Sequence, residues 1–166
     1  MRNKKVLYIT QGAAIAAIYV VLTYIVNLLG LANGVIQVRL SEALTILPAF
    51  TPAAIPGLFI GCVISNLING AVIWDVIFGS LATLIGAVFT YMLRNKSKWL
   101  SPLPPIIANT IVVPLVLTYA YGVPDALWFS ALTVGAGEVI SCGFLGMCLY
   151  HGIDNKYCRK MFAVNQ

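Results

Sequence analysis

Acidic side chains are scarce: the 166 residues include only five Asp and Glu and a single histidine, and charged residues of both signs make up 9% of the chain, against about 25% in a soluble domain. That poverty excludes a solvated globular surface. No hydrophilic stretch is long enough to form a separate catalytic domain. The four cysteines show no paired spacing of the zinc or disulfide type. Cys62, Cys142 and Cys148 lie in apolar segments and Cys158 in the tail, so all four read as packing residues and no metal is expected. A glycine-rich phosphate loop of the G-x-x-x-x-G-K-[ST] type is also missing, so the chain does not bind ATP in the P-loop manner, and no other cofactor is expected. There is no convincing internal repeat, which argues against an inverted-repeat transporter.

What the chain has instead is apolar sequence, 60% of its residues, which makes it an integral membrane protein. Nine of its ten basic residues fall in three clusters: Arg2, Lys4 and Lys5; Arg94, Lys96 and Lys98; Lys156, Arg159 and Lys160. Cytoplasmic loops carry excess Lys and Arg, so an even number of spans must separate neighbouring clusters, with both termini inside. The net charge of +5 then faces anionic lipid and does not point to nucleic acid as a partner.

A spanning helix needs ~20 apolar residues. The run from Val6 to Leu29 meets this and is longer than the ~7 to 15 residues of a signal-peptide core. Further spans are expected at 76–93, 106–120 and 128–150, all within one membrane domain of residues 1–166. The stretch from Val35 to Gly70 must enter and return, yet it is shorter than the ~40 residues two perpendicular spans need. Its helices, 35–49 and 53–70, are therefore expected to be short or bent, with the turn at Pro48, Pro52 and Pro56. The expected fold is an all-α bundle of six transmembrane helices.

In that topology Arg39, Glu42, Asp75 and Asp125 fall on the outer side, and Glu138 lies well inside the last span. A charge at the bilayer centre costs ~2.5 to 3.5 kcal/mol on the lenient insertion scale, which makes Glu138 the leading site candidate. Gly135, Ala136, Gly137, Ser141 and Gly143 around it are small enough to admit a neighbouring backbone or a flat ligand. Gln37, Asn66, Asn69 and Asn109 add amides in the outer half, and Trp74 stands beside Asp75. Trp128 and Tyr121 read as interfacial belt residues. Two or three carboxylates with amides and an aromatic face suit a small planar solute rich in donors, including a cation. Gly12, Ala13, Ala16 and Ala17 put small residues on the first helix. That pattern serves either internal packing or partner docking, and taken alone it favours packing.

The run VRLSEALTILPAF from Val38 to Phe50, with TPAAIPGLFIG from Thr51 to Gly61, resembles the QueT family. The likeness extends to Asn66–Gly70 and Trp74–Ser80 and covers nearly the whole chain. It implies a substrate-specificity (S) component of an energy-coupling factor (ECF) transporter in a bacterial cell membrane, not an enzyme. The implied ligand is a queuosine precursor, 7-aminomethyl-7-deazaguanine or 7-cyano-7-deazaguanine. The implied partners are a membrane T component and two cytoplasmic ATPases, with Ala13 and Ala17 as the T-component contact. Within that frame Glu138 or Glu42 would pair with the ring N–H and exocyclic amine, and Asn66, Asn69 or Asn109 would reach the carbonyl. Asp75 would face the ammonium, Trp74 would stack on the ring, and the turn from Gly30 to Gln37 would act as a lid. The rivals are an S component for folate, thiamin or riboflavin, a stand-alone channel or secondary transporter, and an intramembrane enzyme using Glu138 with His151. The last pair stands ~20 Å apart along one helix.

Overall fold

The structure is a computed structural model that describes residues 3–30 and 36–155. Among these residues every regular element is helical. Helix α1 (Lys4–Leu28) is capped by Asn3, whose side chain accepts from the Lys5 N–H at 3.1 Å. It is followed by a 3-10 helix (Leu40–Ala49), α2 (Ala54–Ile68), α3 (Ile73–Leu93) and α4 (Leu103–Tyr119). Helix α5 (Leu127–Glu138) passes through a π-helical segment (Val139–Leu145) into α6 (Gly146–Ile153). Four helical stretches, Lys4–Leu28, Ile73–Leu93, Lys98–Tyr119 and Leu127–Ile153, are long and apolar enough to cross a membrane. Their lipid-compatible faces show in exposed side chains such as Ile9, Ile18, Phe89 and Leu132.

The segment expected as a helix over 35–49 is different in kind. Its first residue lies outside the described residues, residues 36–39 are non-helical, and the helix that follows is wound as 3-10. Pro48 inside it lacks an N–H, and proline disfavours α geometry in the residue before it. The tighter winding also extends reach. Ten residues of 3-10 helix rise ~20 Å, where α-helix would give ~15 Å. The chain turns at Phe50–Ala53, where the Thr51 hydroxyl donates to Gln11 Oε1 at 3.0 Å and Tyr8 donates to the Pro52 carbonyl at 3.4 Å.

This 3-10 helix is the centre of the bundle. Leu44 through Pro48 are all buried. Leu44 and Leu47 share a core with Ile15 and Tyr19 of α1, Leu58 and Cys62 of α2 and Ala87 of α3. On the other side Phe50 meets Tyr150 of α6, ring centroids 4.6 Å apart.

Helices α1 and α2 run parallel, Gly12 against Gly57 at one end and Asn27 against Asn69 at the other. A Cβ on Gly57 would stand 2.7 Å from the Gly12 carbonyl oxygen, and one on Gly61 would stand 2.9 Å from Tyr19 Cβ and 3.1 Å from Ala16 Cα. Of the four small residues weighed for packing or docking, Gly12 and Ala16 are engaged inside the bundle, whereas Ala13 and Ala17 face outward. Packing of small residues is what associates helices in lipid, where apolar burial supplies little drive.

The contacts sort the polar residues by end. Lys98 Nζ lies 3.5 Å from His151 Nε2, at the end where α3 finishes and α4 begins. Asp75, Tyr121, Asn27 and Asn69 gather at the opposite end.

Gly57→Ala is expected to lower the thermal midpoint of the detergent-purified protein, overpacking of this kind costing about 1–3 kcal/mol. Gly152→Ala, with nothing within 4 Å of its new Cβ, should leave the midpoint unchanged. Equal midpoints for the two variants would refute the close α1–α2 contact.

Candidate functional site

Two polar groups lie next to each other. The deeper one is built on Glu42, in the first turn of the 3-10 helix, and Glu138, the last residue of α5 before the π-helical segment. A π segment changes the phase of a helix and re-aims its side chains. Both carboxylates are buried, at 1% and 5% exposure, and one ligand atom each from Glu42, Glu138 and Cys142 lie within 4.8 Å of one another.

Donors arrive from three helices. Tyr19 donates to Glu42 Oε1 at 2.6 Å, Asn109 Nδ2 to Glu42 Oε2 at 3.4 Å, and the Cys142 thiol to Glu138 Oε2 at 3.1 Å. Two bare carboxylates this close in apolar surroundings require a shared positive charge or further donors. A proton, a cation or a donor-rich ligand meets that need. Glu42, Glu138 and Cys142 are also the described residues grouped closely enough to hold a metal ion, a grouping that no spacing in the sequence announces.

The second group lines a partly open cavity of about 370 Å³ at the end of the bundle away from the Lys98 cluster. Its wall includes Tyr19 and Asn27 of α1, Gln37, Arg39 and Ser41, Asn66 and Asn69 of α2, Asp75 of α3, and Tyr121. Asp75 Oδ2 accepts from the Tyr121 hydroxyl at 3.1 Å, the same hydroxyl accepts from the Val72 N–H at 3.2 Å, and Asn66 Nδ2 donates to the Asp75 carbonyl at 3.4 Å. Burial, followed by the Asp75 charge, holds the Tyr121 pKa above the ordinary tyrosine value. Arg39 is pinned through its backbone N–H to Ser141 Oγ at 3.0 Å, and it lines the cavity together with Asp75. Gly137 lets the chain pass here, because any Cβ on it would collide with the Gln37 carbonyl. Tyr19 belongs to both groups, lining the cavity and holding Glu42.

Gln37, Arg39, Asn66, Asn69 and Asp75 thus share one cavity, and Glu42, Asn109 and Glu138 meet behind it. Trp74 does not join them. It is 53% exposed and lies with Phe78, Leu115 and Tyr119 along a separate apolar groove of about 350 Å³. The reason is helical phase: successive residues on an α-helix point about 100° apart, so Asp75 faces the cavity and its neighbour does not. Tyr121, read as a belt residue, instead holds Asp75, while Trp128 is 71% exposed. Residues 31–35 of the expected lid, the third basic cluster, Arg2 of the first and Cys158 lie outside the described residues. Tyr19, Ser41, Asn27 and Cys142 were missed. In sequence each looks like an ordinary helix residue, and only contact with distant segments gives it a role.

An all-helical membrane bundle with a polar cavity at one end has the form of a solute-transport protein. A family model described as the QueT transporter matches residues 9–155, and the chain belongs to that family, one of transporters and not of enzymes. The Queuosine precursor transporter QueT of Lactococcus lactis subsp. cremoris is 39% identical over 98 residues, which cover 59% of this chain and 57% of that protein. The chain thus aligns with a little over half the length of that curated relative. No solved structure matches.

Replacing Tyr19 with Phe leaves Glu42 Oε1 without its donor. The expected cost is about 1–3 kcal/mol, read as a lower thermal midpoint of the purified protein. An unchanged midpoint would mean that the hydroxyl does not carry the carboxylate.

Proposed function

We infer that the chain is the substrate-binding S component of an ECF importer for a queuosine precursor. The observation that carries this reading is a polar cavity lined by Gln37, Arg39, Asn66, Asn69 and Asp75 with the buried carboxylates Glu42 and Glu138 set close together behind it. Such a site is complementary to a compact, planar, donor-rich ligand, and the 7-aminomethyl form, with its ammonium, complements it better than the 7-cyano form. Asp75, steadied by Tyr121, receives the ammonium. The Glu42–Glu138 pair receives the ring N–H and exocyclic amine, a two-donor edge that suits a carboxylate. Asn66, Asn69 and Asn109 supply amides, and Gln37 closes one edge.

The bundle sits in a bacterial cell membrane as one domain. The basic end that carries Lys4, Lys5, Arg94, Lys96 and Lys98 faces the cytoplasm, with both termini inside by the positive-inside rule. The non-helical residues 36–39, with Arg39 extended, together with the longer rise of the 3-10 helix bring this segment closer to the ~30 Å of a crossing than an α-helix of that length would. With the short α2 this makes six spans. The outward face of α1 at Ala13 and Ala17 is the surface offered to the T component, which carries two ATPases. The carboxylate pair also fits a stand-alone secondary transporter moving protons, and uptake that persists without the ATPases would favour that reading.

Calorimetric titration of the purified chain with 7-aminomethyl-7-deazaguanine should give submicromolar binding, with none for riboflavin. Asp75→Asn should weaken the aminomethyl form about tenfold, the scale of a hydrogen bond to a charged group, and leave the cyano form nearly unaffected. Binding of riboflavin in preference to the deazaguanine would overturn the ligand assignment.

Ala17→Trp should abolish co-purification with the T component and ATPases and leave ligand affinity intact. Retained co-purification would move the docking face elsewhere.

A further inference from the structure

Hydroxyls on helices in this bundle commonly bond back to a carbonyl three or four residues earlier. Thr45 reaches Glu42, Thr23 reaches Tyr19, Ser65 reaches Cys62 and Thr83 reaches Gly79. Ser41 has no such recourse. It is the second residue of the 3-10 helix, and the carbonyl three positions back, on Val38, belongs to the non-helical approach. Its hydroxyl is buried, at 1% residue exposure, and without a hydrogen-bond partner. Five buried hydroxyls share that condition, Ser41, Ser80, Ser101, Thr110 and Thr118, and of these Ser41 is the one that lines the polar cavity.

A buried hydroxyl left unmade costs free energy that a bound acceptor returns. The acceptor has to come from the cavity. Arg39, on the same short segment and lining the same cavity, adds donors that cannot be removed by deprotonation. Asp75 and Tyr121, which bond to each other, form another part of the lining and call for the opposite chemistry.

We propose that Ser41 is a specificity-determining residue that donates to the ring carbonyl of the bound ligand, with Arg39 beside it, so that the cavity has an acceptor-reading end distinct from its cation-reading end at Asp75. The assignment rests on the deazaguanine reading above and deepens it. It gives the ligand's carbonyl to Ser41, where the amides alone had been considered. The class of ligand selected is a planar lactam that carries a carbonyl at one edge and a cationic arm elsewhere.

The test compares the parent chain with Ser41→Ala by titration with 7-aminomethyl-7-deazaguanine and with its 6-thio analogue. The analogue keeps the ring N–H and amine and replaces the carbonyl oxygen with sulfur, a weaker acceptor. The parent should prefer the oxo ligand, and Ser41→Ala should bind it about tenfold more weakly and lose most of the preference. The ligand-free thermal midpoint is the second readout. Removing an unpartnered hydroxyl should leave it unchanged or raise it, whereas a structural role for Ser41 would lower it. Unchanged affinity in Ser41→Ala, with the parent binding, would overturn the assignment and mean that water meets the hydroxyl. So would an equal loss on both ligands. If the parent binds neither ligand, the deazaguanine reading fails and takes this inference with it.

Discussion

Backbone groups inside a membrane must find partners within the protein, because lipid offers none. The arrangement of this bundle follows from that constraint as it acts on one segment, the non-helical residues 36–39 and the 3-10 helix Leu40–Ala49. A stretch of this kind cannot face lipid. It is tolerated because α1, α2, α3 and α6 enclose it, because Ser141 Oγ accepts the Arg39 N–H, and because Gly137 carries no Cβ to block the Gln37 carbonyl. The small residues of α1 and α2 serve the same end, letting those two helices close on each other beside it. Loss of any of these supports would open irregular backbone to hydrocarbon, a larger penalty than loss of an ordinary contact.

Enclosing the segment has an electrostatic consequence. Glu42 is carried into the interior with it and is set against Glu138 of the last span. The donors at hand are few, Tyr19 and Asn109 for Glu42 and the thiol of Cys142 for Glu138, and a thiol is a weak donor. Arg39 brings one positive charge to the cavity lining, which it shares with Asp75. The site is thus held short of positive charge and of donors, and that deficit, more than the shape of the cavity, gives the ligand its predicted character.

The four long apolar helices were legible because they depend on composition, the length of an apolar run. The irregular segment was legible in part, since its prolines and shortage of residues excluded two straight helices, but 3-10 winding depends on how the interior is filled. Side-chain direction was the weak point. Trp74 faces away from the cavity, because adjacency to Asp75 in sequence says little about which face of a helix a residue presents, and Tyr121 holds Asp75 through a contact between distant segments. Cys142 and Glu42 lie 100 positions apart, and Ser41 matters through an absence of partners. No local pattern encodes either fact.

Tyr19 ties these elements together. Its backbone turn packs against Gly61 of α2, its ring belongs to the core, its hydroxyl occupies Glu42 Oε1, and the same residue lines the cavity. Each oxygen of Glu42 has acceptor capacity beyond its one donor from Tyr19 or Asn109, so that hydroxyl orients the carboxylate and leaves room for further donors. The face of α1 opposite the α1–α2 contact carries Ala13 and Ala17. The cavity lining, the buried carboxylate and the α1–α2 contact therefore meet in one side chain, so a change at Tyr19 cannot alter one without disturbing the other two.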